Sequence, residues 1–522
     1  MAAPPPDLRA FLKPLSFEFG SVVSLSQELA LTFKHLSAQS LSQFLPTPIS
    51  ESILRQAAAS SRGRFLAIDI GGTNLRVAFI ELLGGSDYSI SSEASVDSQG
   101  TGQGARRLKR HLEHSWPIQD HLKNENPENL FSWVGNRVAQ VVRRGCELFM
   151  LTPGDELPMG VTFSFPMKQN SLSEATLMPM GKGFAITSSL DLGDHLMKGY
   201  EKHRAPDMPH IKIAAISNDA VATLVSFVYQ FPAEPDQKAV MGLIVGTGCN
   251  ATIPLKLSSL HPSKWPGAIS VLDGQDGADV KIAVNTEWSI NGSAPPLRNF
   301  GFVTHWDEQL DRAGEAPGFQ PLEYMTAGRY LGELARIIFV DTLHKVMDVP
   351  VGSLPAKLRQ RFGMTTTFIS HYYPGSPAGQ LLNQLQREFP TGGGEGAMLP
   401  RWEGGHAFGL WIIVTAIERR ASAIVAAATV ALLRCAGEIP DPRNPASTAD
   451  DGVKELVVGY TGGCIQHFHK YLEHTQTAIT RILYHDFQPR SPPVGVTLRP
   501  CHDGGITGAG VLVPAALASH VA

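Results

Sequence analysis

Cysteine is scarce: Cys146, Cys249, Cys435, Cys464 and Cys501 are scattered over 522 positions without paired spacing. That pattern argues against a disulfide framework, fits a reducing compartment, and offers no metal-ligand cluster. Runs of lysine or arginine are also missing, and a formal net charge of −4 supplies no basic field for nucleic acid or an anionic membrane surface. No stretch reaches the roughly 18 unbroken apolar residues that a membrane span needs. The Ala/Pro-rich residues 1–6 show no charged start followed by an apolar stretch. No fixed short repeat is present. These absences leave a cytoplasmic chain whose simplest partner is a small soluble ligand. At 522 residues the chain exceeds one ordinary core, so two domains, or one large α/β unit split by a cleft, are expected.

What is present is glycine, in turns that close apolar strands. The run Leu66-Ala67-Ile68-Asp69-Ile70 leads into Gly71-Gly72-Thr73-Asn74-Leu75-Arg76. Paired glycines let the backbone bend and bring bare N–H groups against a polyphosphate, while Thr73, Asn74 and Arg76 add side-chain donors. The spacing is neither G-x-G-x-x-G nor a Walker loop. A plain hairpin turn is the competing reading of this run alone. The design recurs where residues 241–245 feed Gly246-Thr247-Gly248, and again where residues 456–459 meet Thr461-Gly462-Gly463. The first two of these turns suggest two halves facing one ligand. Apolar spacing predicts helices over 21–44, 130–149, 322–347 and 410–433, and strands at 64–83, 159–166, 211–216, 241–245 and 456–459. Residues 84–128 read as polar and loop-rich with some helix, and 389–406 as a Gly/Pro-rich interruption.

Six ordered segments carry a resemblance. After the Asp69–Arg76 loop come Gly160-Val161-Thr162-Phe163-Ser164-Phe165-Pro166 with Lys182-Gly183-Phe184, then Ser217-Asn218-Asp219-Ala220-Val221-Ala222-Thr223-Leu224. Next are Ile244-Val245-Gly246-Thr247-Gly248-Cys249-Asn250-Ala251, Val284-Asn285-Thr286-Glu287-Trp288, and Pro317-Gly318-Phe319-Gln320-Pro321-Leu322-Glu323. From about residue 45 onward the chain resembles eukaryotic-type hexokinases and glucokinases. The resemblance implies the α/β actin-like ATPase (ribonuclease H-like) fold, with two domains around a cleft. A small domain of 63–217 plus 503–522 would face a large one of 1–62 plus 218–502.

The implied activity is ATP-dependent phosphorylation of the 6-hydroxyl of glucose or a related hexose, the first step of glycolysis. A primary hydroxyl is a poor nucleophile at neutral pH, and a carboxylate within hydrogen-bond reach can take its proton as it attacks the γ-phosphate. By the resemblance Asp219 is that base, although Asn-Asp before an apolar run is also a common helix cap. Lys182 would stabilise the transferred phosphoryl group and bind sugar, against the ordinary fate of a solvated surface lysine. Ser164, Asn218, Asn250, Glu287 and Glu323 would ring the hexose. Asp69, Gly71, Gly72, Thr73, Asn74, Arg76, Thr247, Gly462, Gly463 and Gly508 would hold the nucleotide. Mg²⁺ would arrive with ATP, held by phosphates and water, so no metal ligands are assigned.

Departures from the family pattern cluster on the nucleotide side. Met180-Gly181 stands where the family has Trp-Thr, Thr461-Gly462-Gly463 where it has Asp-Gly-Ser, Ala220 where a threonine follows the catalytic aspartate, and Ile506-Thr507-Gly508 at a Gly-Ser-Gly turn by the adenosine end. Each lost hydrogen bond costs about 0.5–1.5 kcal/mol. A second reading is therefore a catalytically weak, hexokinase-like sugar-binding regulator that reports to a protein partner. A nucleotide-dependent chaperone or actin-like polymer ranks last, because it would not need the sugar-site residues.

Overall fold

A computed structural model describes residues 6–84, 107–124, 126–178, 190–231, 234–272, 274–275, 280–372, 378–391, 401–440, 452–518 and 520–521. Its two principal sheets repeat one connection pattern. In the smaller sheet, Arg62–Ile70 and Asn74–Leu83 form a hairpin and Leu108–Pro117 extends it antiparallel. Glu156–Phe163 and His210–Ser217 add in parallel on the other side. In the larger sheet, Gln237–Val245, Cys249–Lys256 and Lys281–Asn285 make the same antiparallel meander, with Glu455–Thr461 and Gly495–Pro500 as the parallel flank. Leu45–Ser50, Ser270–Val271 and His520–Val521 continue the larger sheet beyond Lys281–Asn285. Each hairpin is closed by one of the glycine turns noted above, at residues 71–73 and 246–248.

Side-chain alternation decides which residues face the space between the sheets. Leu66, Ile68 and Ile70 join a cluster with the helix Pro127–Phe149, whereas Ala67 joins Ile506, Ala509 and Leu512 of the helix Gly504–Leu517. Asp69 shares the face of Ala67. The helix Gly504–Leu517 packs on the smaller sheet, Asp219–Gln230 packs on the larger, and the two helices pack on each other. Their contact is close: a methyl group at Gly508 would lie 2.2 Å from the Ala222 carbonyl oxygen.

Several elements differ from the sequence expectations. The leading helix is Phe19–Gln39, and residues 45–50 pair as a strand. The helix expected over 322–347 is two helices, Pro321–Thr326 and Gly328–Lys345, broken at Ala327. There the Gly328 N–H turns to the Gly246 carbonyl at 2.7 Å, a tertiary bond that no local pattern announces. Leu108–Pro117 is a ten-residue strand inside the stretch read as loop-rich; its charges suit a sheet edge and hide its period. Finally, the C-terminal helix packs on the smaller sheet, while His520–Val521 pairs with Ser270–Val271 of the larger.

The helix crossing has a measurable consequence. Gly508→Ala should destabilise the protein by about 1–3 kcal/mol, because the obstacle is backbone and cannot rotate away. Urea unfolding of the variant beside wild type checks this.

Candidate functional site

Two polar cavities adjoin between the sheets. The first, of about 290 Å³, is lined by Ser164, Asn218, Asp219, Asn250, Glu287 and Glu323, with Gly72, Thr73, Lys123, Gln320 and Arg329. Asn218 caps the helix Asp219–Gln230, its Oδ1 accepting the Ala220 N–H at 2.8 Å. The cap is therefore Asn218 and not Asp219, which stands as the first helical residue at the cavity wall. Asn218 Nδ2 also donates to the Phe165 carbonyl at 3.3 Å, tying the helix start to the Ser164 segment.

The two glutamates are held by the larger sheet. Asn285 Nδ2 donates to Glu287 Oε1 at 2.8 Å, and Asn250 Nδ2 donates to the same oxygen at 3.3 Å and to Asn285 Oδ1 at 2.8 Å. Glu287 has a left-handed backbone, φ 45°, rare for a non-glycine residue. Its carbonyl is pinned by Gln43 Nε2 at 2.9 Å. Glu323 Oε2 accepts the Cys249 N–H at 3.0 Å, in the strand that carries Asn250. Glu323 is 4% exposed and Glu287 8%, so both are carboxylates kept in place by polar neighbours, as buried charge requires.

The second cavity, of about 420 Å³, shares Thr73, Ser164 and Asp219 with the first and adds Asp69, Gly71, Asn74, Arg76, Gly462, Gly463, Asp503, Gly504 and Gly505. Gly462 is at φ +114° and an added Cβ would strike the Val245 carbonyl at 2.4 Å, so only glycine fits this approach of two backbones. The fourteen-residue helix Gly504–Leu517 begins at the cavity, where N-terminal N–H groups favour an anion.

Charge is concentrated here. Burial above all, and then the Asp219 carboxylate, push the Asp69 carboxyl up from 3.8 to about 7; Arg76 pulls it down and Asp503 adds a further upward push. Asp503 goes the other way: burial raises it, but the bonded Arg110 and the charge of Arg76 outweigh this and hold it below its usual value. Among the described residues no group of three or more His, Cys, Asp or Glu is arranged for a metal ion. Asp69 and Asp219 are hard oxygen donors of the kind that suits a Mg²⁺ carried in on phosphates. No helix among the described residues is long and apolar enough to cross a membrane.

Most of the expected site residues therefore line one of two adjoining cavities. Thr247 lines the first cavity and a third one of about 760 Å³, not the second. Gly508 lines none of these; with Ile506 and Thr507 it is buried within the helix, so its assignment to the nucleotide is corrected to helix packing. Asp503, Gly504 and Gly505 occupy the cavity instead. Lys182, with Met180, Gly181 and Phe184, lies outside the described residues, as do residues 392–400 of the 389–406 interruption. Lys123, Gln320, Arg329 and Asp503 were not anticipated. Gln320 stands within a quoted motif, whereas Lys123 lies in a polar stretch without pattern. A further cavity of about 620 Å³, between Phe19, Trp411 and Arg481, has no carboxylate in its wall.

Hexokinase family models match residues 7–229 and 240–515. Among curated relatives, Hexokinase-5 of Oryza sativa subsp. japonica is 28% identical over 469 residues, covering 88% of this chain and 79% of that protein. Hexokinase-1 of Arabidopsis thaliana is 28% identical over 433 residues, covering 82% and 75%. Of solved structures, the Schistosoma mansoni hexokinase complexed with glucose superposes with a TM-score of 0.73 at 22% identity, covering 98% of each chain. The fold is thus the two-domain actin-like ATPase fold.

The Asp69 shift makes stability depend on pH. A carboxyl whose folded pKa is raised favours the folded state below its unfolded value and loses that contribution as pH climbs through the folded value. Asp69→Asn should therefore match wild type in thermal midpoint near pH 4 and exceed it near pH 8, with the gap opening between. The scale is about 1.4 kcal/mol per pKa unit. Parallel midpoints across that range would contradict the burial of Asp69 as a strained carboxylate.

Proposed function

The chain belongs to the hexokinase family, and we propose that its adjoining cavities bind a hexose and the phosphates of ATP, with Asp219 acting between them. The observation that carries this is the position of Asp219, in the wall of both cavities and at the start of a helix capped by its neighbour. Hexose phosphorylation is the activity of this family, and ATP is its phosphoryl donor.

In this reading the hexose occupies the smaller cavity. Asn250, Glu287 and Glu323 accept from and donate to its hydroxyls, and Ser164 and Asn218 take the remaining edge. A site built to pair hydroxyls penalises a sugar that leaves one buried group unpaired by about 1–3 kcal/mol. The γ-phosphate enters the neighbouring cavity over the 71–74 turn, the Gly462-Gly463 backbone and the start of the helix Gly504–Leu517. Asp219 takes the proton of the 6-hydroxyl as that oxygen bonds to the γ-phosphorus, and the bond to the β–γ bridging oxygen breaks to release ADP. Lys182 is assigned the charge on the phosphoryl group. Mg²⁺ bound to the phosphates supplies charge neutralisation. The cavity of about 760 Å³, which shares Gly463 and Gln466 with the phosphate cavity, has room for the nucleoside. The cleft between the two sheets suits closure that excludes water and so favours the sugar over hydrolysis.

The side chains missing from Thr461-Gly462-Gly463 weaken the case less than the sequence suggests, because backbone N–H groups and the start of a long helix converge on the same cavity. The test is glucose 6-phosphate formation with Mg·ATP beside Asp219→Asn. Loss of a base should lower kcat by about 10²–10⁴-fold while glucose still binds. Wild type no faster than the variant, in protein that binds glucose, would replace the kinase with the sugar-binding regulator.

A further inference from the structure

Arg110 projects from the edge strand Leu108–Pro117, which no motif marks. Its Nη1 bonds Asp503 Oδ2 at 2.7 Å, while Arg76 Nη1 bonds Asp503 Oδ1 at 2.8 Å. One carboxylate thus holds two guanidiniums at the rim of the phosphate cavity. The strand register shows that this arrangement depends on an irregularity. Arg76 pairs with Ser115 and Val77 with His114, but Phe79 pairs with His111 and Ile80 with Arg110. A regular ladder from Ser115 would set His111 opposite Ile80. One extra residue moves Arg110 there, onto the face that Ile80 shares with the helix Gly504–Leu517. Leu112 lies within the bulge at φ 52°, an uncommon conformation for leucine, and Asp503 is itself left-handed at φ 51°. Two strained residues therefore orient one ion-paired cluster, and such strain persists where surrounding structure demands it.

The charge balance of the cavity gives the cluster a purpose. Its described wall holds three carboxylates, Asp69, Asp219 and Asp503, against one guanidinium, Arg76. With Arg76 as sole partner, Asp503 would compete directly with an incoming polyphosphate for it. Resting on the nucleotide assignment above, we propose that Arg110 is a positioning residue for the nucleotide. It shares the Asp503 carboxylate, so that Arg76 keeps donors for phosphate and the cavity carries less negative charge. Arg110 also approaches Glu113 Oε2 at 3.3 Å, a neighbour on its own strand that steadies the arginine. All three members of the cluster are about one third exposed, so solvent moderates the effect to about tenfold, not many orders of magnitude.

The experiment is direct binding of Mg·AMPPNP by calorimetry to wild type, Arg110→Gln and Arg110→Gln/Asp503→Asn, with the thermal midpoint and glucose affinity measured on each. Arg110→Gln should weaken Mg·AMPPNP about tenfold and leave glucose affinity unchanged, and the double variant should recover to within about threefold of wild type. Unchanged nucleotide affinity in Arg110→Gln, equal loss of both affinities, or no recovery in the double variant each overturns the proposal. No turnover enters the measurement. Wild type that binds Mg·AMPPNP but phosphorylates no hexose would sink the kinase reading and leave the Arg110 comparison standing.

Discussion

Between the two sheets, the helices Asp219–Gln230 and Gly504–Leu517 approach until a single methyl group at Gly508 would collide with the Ala222 carbonyl. Small residues make that approach feasible, and its geometry sets the position of the chemistry. One helix begins with Asn218 and Asp219, the other with Asp503, Gly504 and Gly505, and both beginnings open on the cavity that holds Asp69 and Arg76. Moving either helix by the width of a side chain would separate Asp219 from the Gly504-Gly505 backbone across that cavity. Hydrophobic packing in this layer is thus what places polar groups that would not assemble by their own attraction, since three carboxylates repel one another.

That repulsion is offset locally. Asp503 is satisfied by two arginines and stays ionised, whereas Asp69, buried and near Asp219, is pushed up to about 7. Two aspartates in one cavity therefore have opposite electrostatic characters, because burial dominates at Asp69 whereas two bonded arginines outweigh it at Asp503. A polyphosphate with its cation would enter a space already balanced close to neutrality. The smaller cavity follows another rule: amide and backbone donors hold Glu287 and Glu323 in place, through Asn250, Asn285 and the Cys249 N–H. Such acceptors suit neutral hydroxyls better than phosphate.

Repetition of the strand order in both sheets explains why glycine turns face each other. In each half the first hairpin follows the first strand, so its turn emerges at the same end of the sheet. The family pattern's acid and serine are missing at Thr461 and Gly463, whereas the glycine between them is kept. Gly462 at φ +114° beside Val245 leaves no room for a side chain at that position.

Much of the site was legible along the chain because its parts are local. A strand running into paired glycines, Asn218 capping the next helix, and Glu287 beside a buried Trp288 each depend on a few neighbouring residues, and their order carried the family resemblance and the fold. Lys123 was illegible as a single cation in an unpatterned stretch, and Arg329 because the apolar spacing of its helix does not say which polar residue reaches a cavity. Gly508 was misread because a glycine in a helix crossing and a glycine in a phosphate turn look alike in sequence. Sequence by itself determined the two-half α/β architecture, through motif order and the resemblance it carries, because strand-turn segments are local. Only the tertiary structure decided the break at Ala327, the bulge that turns Arg110 to Asp503, and the opposite ionisation of Asp69 and Asp503, because each depends on contacts between residues far apart in the chain or on the register of neighbouring strands.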